Sequence, residues 1–141
     1  MHRLSFGLLI GFTLISSPAI AGDPTGTWQS ADGDVKMKVS RCGENICGNI
    51  AWLKNPNDDG GKPKTDKNNA DPNKRSRPIM GSAIILPMRS GGADKWSGQV
   101  YNAEDGKTYN GSFTLAGASK AELKGCVAII CKTKVWTRSN W

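Results

Sequence analysis

The sequence predicts an all-β chain folded as a single eight-stranded antiparallel barrel. Three observations predict it. There are eight short strand-like runs separated by turn residues, there is no amphipathic helix, and an aromatic–arginine bracket sets Gly26-Thr27-Trp28 against Trp136-Thr137-Arg138. Eight antiparallel strands of this length suit a small closed barrel whose interior holds side chains or one small ligand. A β-sandwich is the alternative, because period and strand length alone do not separate the two.

Residues 1–21 read as a cleaved secretory signal peptide. His2 and Arg3 give a polar, positive start, Leu4 to Ile15 is apolar, Ser16-Ser17-Pro18 breaks the run, and Ala19-Ile20-Ala21 is a small-x-small cleavage site. The apolar run is about 12 residues, short of the ~20 that cross a bilayer, and no later stretch is long enough either, so the chain is not expected to span a membrane. Residues 22–141 then form one domain, placed in the periplasm or outside the cell. The full chain carries +7 from 19 basic and 12 acidic residues, and losing Arg3 with the leader leaves +6. The only histidine, His2, leaves too. The mature chain therefore lacks the commonest general base and the commonest metal ligand.

The first strand is Gly26 to Ser30, closed by the Asp32-Gly33 turn. Val35 to Arg41 alternates cleanly, with Val35, Met37 and Val39 on one face and Lys36, Lys38 and Ser40 on the other. Ile46 to Leu53 is the third run, and Ile79 to Leu86 the fourth, ended by Pro87. Lys95 to Tyr101 has Trp96, Gly98 and Val100 in phase. Asp105-Gly106 is a strong hairpin signal, and Thr108 to Leu115 follows with Tyr109, Gly111, Phe113 and Leu115 in phase. Lys120 to Gly125 and Ile130 to Arg138 complete the set.

Four cysteines repeat one spacing, Cys42 to Cys47 and Cys126 to Cys131, each pair framing four residues between strand-like runs. A four-residue hairpin loop sets its flanking residues opposite each other, within disulfide range. In an exported chain two local bridges, Cys42–Cys47 and Cys126–Cys131, are the natural pairing among the three that four cysteines allow. Zinc and redox sites favour the tighter Cys-x-x-Cys spacing.

Residues 54–78 break the strand pattern. This is a long polar loop of Asn, Asp, Gly, Lys and Pro, with seven basic residues against four acidic ones, so half of the mature net charge lies on it. Loops beyond ~12–15 residues without structure of their own are usually functional or disordered.

Several stretches together resemble a family of small secreted bacterial proteins, a domain of unknown function with a lipocalin-like β-barrel. They are Gly26-Thr27-Trp28, Cys47-Gly48-Asn49-Ile50, the run Asp66 to Gly81, Asp105-Gly106-Lys107-Thr108-Tyr109, Leu123-Lys124-Gly125-Cys126 and Trp136-Thr137-Arg138. The resemblance covers the whole mature chain. It implies that Trp28 plugs one end of the barrel beneath Arg138, with Trp136 a structural partner, and this tips the choice from sandwich to barrel. It also implies export and, by analogy of shape, a small hydrophobic ligand.

The candidate ligand-binding residues are Trp52, where a strand meets the long loop, Trp96 and Tyr109 as cavity wall, and Arg77 as a headgroup contact. Against this, the aromatics can simply fill a narrow barrel, and Asp66 and Asp71 can pair with Arg75 and Arg77 to order the loop. Trp141 is read as frayed. A calcium loop fails at Ala70 and lacks a Glu between Asp58 and Pro78. Nucleic-acid binding would need aromatics among the basic residues of 54–78, and there are none. No Ser-x-x-Lys occurs and no paired carboxylates are evident, so no catalytic residue, metal or cofactor is assigned. The expected function is an exported, non-catalytic binding protein for a small, partly hydrophobic or amphiphilic ligand. The alternative is an envelope-associated structural or interaction protein whose basic loop meets an anionic envelope component.

Overall fold

The computed structural model describes residues 7, 9–14 and 22–141. Most of the expected leader, including the cleavage site Ala19-Ile20-Ala21, lies outside the described residues.

Eight strands follow in order: β1 Gly26–Ser30, β2 Val35–Cys42, β3 Asn45–Leu53, β4 Ala83–Ser90, β5 Lys95–Asn102, β6 Lys107–Leu115, β7 Lys120–Val127 and β8 Ile130–Ser139. Each pairs antiparallel with the next, and β1 also pairs with β8, so the sheet closes into a barrel and has no edge. Closure excludes the sandwich. The up-and-down order also sorts the connections. The turns after β2, β4 and β6 lie at the end where Gly26 enters, and those after β1, β3, β5 and β7 lie at the opposite end.

The entry end is sealed. Trp28 is wholly buried, and its Nε1–H donates to the Pro24 carbonyl at 2.9 Å. The Arg138 guanidinium lies 4.3 Å from the indole, ties the entering chain down through the Thr25 and Asp23 carbonyls, and holds the β6–β7 turn through the Ala118 carbonyl. This is the arrangement the terminal bracket predicts. Above Trp28 the interior is packed by Met37, Val39, Ile46, Ile85, Met88, Trp96 and Phe113. The barrel is narrow here. A side chain at Gly48 would start 2.8 Å from the Met37 sulfur.

Both local disulfides are present, with Cα–Cα distances of 5.9 Å for Cys42–Cys47 and 4.1 Å for Cys126–Cys131. The first staples a hairpin at the sealed end, the second at the other end.

One expectation needs correction. The fourth strand is Ala83–Ser90, not 79–86: it runs through Pro87 instead of ending there. Pro87 is exposed and lies where the pairing register shifts between Ile85 and Arg89, so its missing N–H costs no ladder bond. Residues 54–78 are ordered, the outcome that pairing of the segment's acids with its arginines implies. Short bridges pair Asn57 with Pro63 and Thr65 with Pro78, and a 3₁₀ turn at Pro72–Lys74 is capped by Asp71. The segment docks on the β5–β6 turn, where Asn68 donates to the Ala103 and Glu104 carbonyls. Gly106 makes this docking fit. Its φ is +72°, and a Cβ there would overlap the Asn68 carbonyl. Gly106→Ala is expected to cost about 2 kcal/mol from backbone conformation and to lift residues 66–69 off the barrel. Urea unfolding together with tryptic cleavage at Lys67 checks both, and unchanged values for both would refute the docking role.

Candidate functional site

The barrel is packed only part of the way up. Between the packed layer and the end opposite Trp28 lies a cavity of about 540 Å³, within the range of small-molecule sites. Trp136, Leu123 and Val100 belong both to the packed core and to the cavity lining. Val35, Ile50, Ile79, Ile84 and Val100 make apolar wall. The mouth is polar, with Asp34, Lys64, Glu104 and Asp105 from the turns and Lys132 and Lys134 from β8. The ordered segment 54–78 forms part of this mouth through Asn55 and Lys64.

One strand brings the lysines in. Along β8, Ile130, Lys132, Lys134 and Trp136 are two residues apart and therefore share the inward face. The β7 residues paired with the first three, Val127, Gly125 and Leu123, line the same cavity. Beside the mouth, the disulfide-stapled tip of this hairpin holds Val127, Ile129 and Ile130 well exposed, Ile129 at 96%.

The four sequence-chosen binding residues are not brought together. Tyr109 lines the cavity, and its hydroxyl donates to Asp105. That hydrogen bond, with some burial and the carboxylate's charge, raises the phenol above its ordinary pKa. Trp52 is on the outside of the barrel. A register shift between Lys36 and Met37 pairs Met37 with Ile50 but Lys36 with Trp52, so the alternation slips by one and turns Leu53 inward instead. Trp52 packs edge-on to Trp141, and both indoles cover the Lys36 ammonium, which lies 3.4 Å from the Trp141 ring. Trp141 is therefore packed on the outer wall, not frayed.

Trp96 is buried low in the core, 6.5 Å from Phe113, below the cavity. It starts β5 at the sealed end, so it cannot reach the mouth. Arg77 is occupied elsewhere. It pairs with the buried Asp66 at 2.8 Å and lies 5.6 Å from the Tyr101 ring on the outer face. Arg75 donates to the Asn69 carbonyl. The two guanidiniums order the segment, as the competing reading of that stretch has it.

Trp136, Lys132 and Lys134 were missed as cavity residues. Their signal was present in the strand period. Once Trp136 is placed inward by its bracket with Trp28, residues 134, 132 and 130 must follow it.

A closed eight-stranded barrel, sealed at one end by an aromatic–arginine plug and hollow at the other, is a lipocalin-like fold, a class that commonly holds one small hydrophobic ligand. The chain belongs to the family described as "Uncharacterized protein conserved in bacteria (DUF2147)", whose model matches residues 26–138. Among solved structures it is similar to protein HP1028 from the human pathogen Helicobacter pylori, which is described as belonging to the lipocalin family. The TM-score is 0.71 and the identity 21%, with 84% of each chain covered. That likeness shows the fold. No curated protein matches the chain. Among the described residues no helix is long and apolar enough to cross a membrane.

Proposed function

We propose that the protein is an exported, non-catalytic carrier that holds a small amphiphilic molecule in the open half of its barrel. The observation that carries this reading is the cavity itself: about 540 Å³, with apolar walls, a polar mouth and a sealed far end. Tyr109 is the wall residue retained from the sequence, and its phenol sits between apolar depth and polar rim.

Export is supported by the leader pattern and by two disulfides, which persist in oxidising compartments. It is also supported by Gly22, whose backbone nitrogen donates to Asp94 Oδ1 at 2.6 Å. Cleavage after Ala21 would turn that nitrogen into an α-ammonium and the hydrogen bond into an ion pair. Binding to an envelope through the 54–78 loop is less favoured, because Arg75 and Arg77 are engaged within the loop.

Native mass spectrometry of protein isolated from its own envelope fraction, without detergent, tests the reading. The expected result is excess mass over the disulfide-bonded 22–141 chain, lost on denaturation. Ala83→Trp, at the half-buried cavity wall, is expected to reduce that occupancy at least tenfold, whereas Trp52→Ala, outside the barrel, leaves it in place. Equal occupancy in all three proteins, or none in any, would sink the carrier reading.

A further inference from the structure

Two hairpins of the barrel share one disulfide spacing and have opposite tips. At the sealed end, β2 and β3 turn through Gly43-Glu44, and Gly43 takes the positive φ, +66°, that a tight hairpin asks for. At the open end, β7 and β8 turn through Ala128-Ile129, just beyond the pairs Cys126–Cys131 and Val127–Ile130. Every residue from Val127 to Ile130 is aliphatic. Ala128 holds φ at +53° without being glycine, asparagine or aspartate, the residues that adopt it readily. Turn chemistry therefore does not account for these side chains. Core packing does not either, since Val127 is 60% exposed, Ile129 96% and Ile130 72%.

The tip is carried by its own two strands. β8 has its last β1 partner at Trp136, opposite Ser30, and β7 has its last β6 partner at Cys126, opposite Asn110. Beyond those pairs neither strand has a ladder partner outside the hairpin. The flanks of the tip are basic. Between Leu123 and Trp136 there are three lysines and no carboxylate. Lys124 is on the outward face, while Lys132 and Lys134 share the other face with Gly125 and Leu123 opposite them. Glu122, the acid of this hairpin, pairs with Val135, further from the tip than any of the three. None of the lysines forms an ion pair among the described residues. Lys132 follows Ile130 by ~6.6–6.8 Å, the rise of two strand residues. Interfacial segments sink ~5–10 Å into the headgroup boundary of a bilayer. Lysines at that distance meet the phosphates when the aliphatic tip is immersed.

We propose that the β7–β8 tip is a membrane-docking surface. Val127, Ile129 and Ile130 enter the headgroup–acyl boundary of an anionic lipid leaflet, and Lys124, Lys132 and Lys134 meet its phosphates. A second copy of the chain fits the tip less well. Tip-to-tip contact sets like charges against each other, and four aliphatic side chains fall short of the ~800 Å² that each partner of a stable interface buries. A lipid surface supplies the opposite charge and asks for no shaped complement. The staple then has a reason, because it holds closed a turn whose residues do not favour closing. Val127 and Ile130 also line the cavity, so docking sets the mouth of the barrel against the leaflet. The surface lies outside the barrel, and docking does not depend on what the cavity holds.

Vesicle flotation of the disulfide-bonded protein tests the proposal. The vesicles are phosphatidylcholine alone, or phosphatidylcholine and phosphatidylglycerol in equal parts. The expected result is binding to the mixed vesicles, about tenfold weaker on phosphatidylcholine alone and weakened by salt. Ile129→Ser is expected to weaken binding to the mixed vesicles about tenfold, and the fold tolerates it because the side chain packs against nothing. Replacing Lys124, Lys132 and Lys134 together by Gln is expected to lower binding to the phosphatidylcholine level. Glu44→Gln, at the tip of the other stapled hairpin, should leave it unchanged. Equal affinity for the two kinds of vesicle, or Ile129→Ser binding as tightly as the parent, overturns the proposal. Absence of vesicle binding overturns it too, and a dimer that Ile129→Ser disperses would then assign the tip to a second copy of the chain.

Discussion

Trp28→Ala is expected to lower the stability of this protein by about 4 kcal/mol and its melting temperature by roughly 15 °C. The indole is wholly buried, packs edge-on to Phe113 at 5.5 Å and lies 4.3 Å beneath the Arg138 guanidinium. Truncation opens a void at the sealed end. It also strips Pro24 of its hydrogen-bond donor and leaves Arg138 over empty space. Trp28→Phe should cost about half as much, since it keeps the ring under the guanidinium and loses the N–H. Urea unfolding followed by circular dichroism measures both. A loss below about 1 kcal/mol in the alanine variant would show that the plug is ornamental to stability. Trp28 does not line the cavity, so ligand affinity of the folded fraction should be unchanged.

Most of the barrel was legible in the sequence because its signals are local. Strict alternation in residues 35–41, Asp105-Gly106 in the β5–β6 turn and the repeated cysteine spacing each specify a piece without knowledge of the rest. Closure depended on the terminal bracket, whose two halves meet across the β1–β8 pairing of Trp28 with Arg138. What failed to read were places where local pattern yields to tertiary geometry. The bulge that turns Trp52 outward leaves no mark in the apolar stretch Ile50-Ala51-Trp52-Leu53. Pro87 looked like a strand end because its tolerance there depends on a register shift with neighbouring strands.

The candidate site was less legible, for a related reason. Which end of a barrel is hollow is decided by how far the core fills it, and composition does not say where Met37, Trp96 and Phe113 stop. Trp96 was chosen as an inward-phased aromatic, yet that description fits the packed end as well as the hollow one. Lys132 and Lys134 are not singled out by the sequence, although their phase with Trp136 is what places them among the lining residues. The order in 54–78 was legible only in part: the pairing of Asp66 with Arg77 is local, but the Tyr101 hydroxyl that completes it comes from a residue more than twenty positions away on the outward face of β5.

That order should collapse in Asp66→Asn, with a loss of about 3 kcal/mol. Asp66 is 0% exposed in a segment that is otherwise mostly exposed. Its carboxylate accepts from the Tyr101 hydroxyl at 2.5 Å, Asn69 Nδ2 at 2.8 Å and Arg77 Nε at 2.9 Å. An amide there leaves one acceptor oxygen where two served three donors, and it removes the charge that balances the guanidinium. Burial works against the Asp66 charge, but the three hydrogen bonds and the Arg77 charge together outweigh it and hold the pKa below the ordinary carboxylate value. The sign follows by linkage. A depressed folded pKa contributes stability that is complete above the unfolded value of about 3.9 and is lost as the pH falls through the folded one. Tyr101 supplies the mirror case. Burial, then its bond to the carboxylate, raise its pKa above 10.0, so its contribution is lost as the pH rises through that folded value. The parent protein should therefore release residues 54–78 to trypsin at both extremes of pH, and Asp66→Asn should release them at neutral pH. It should also flatten the acid limb of stability against pH. An acid limb identical in parent and variant would move the pH sensitivity to other carboxylates, and an intact segment in the variant would leave its order to Gly106 and Asn68.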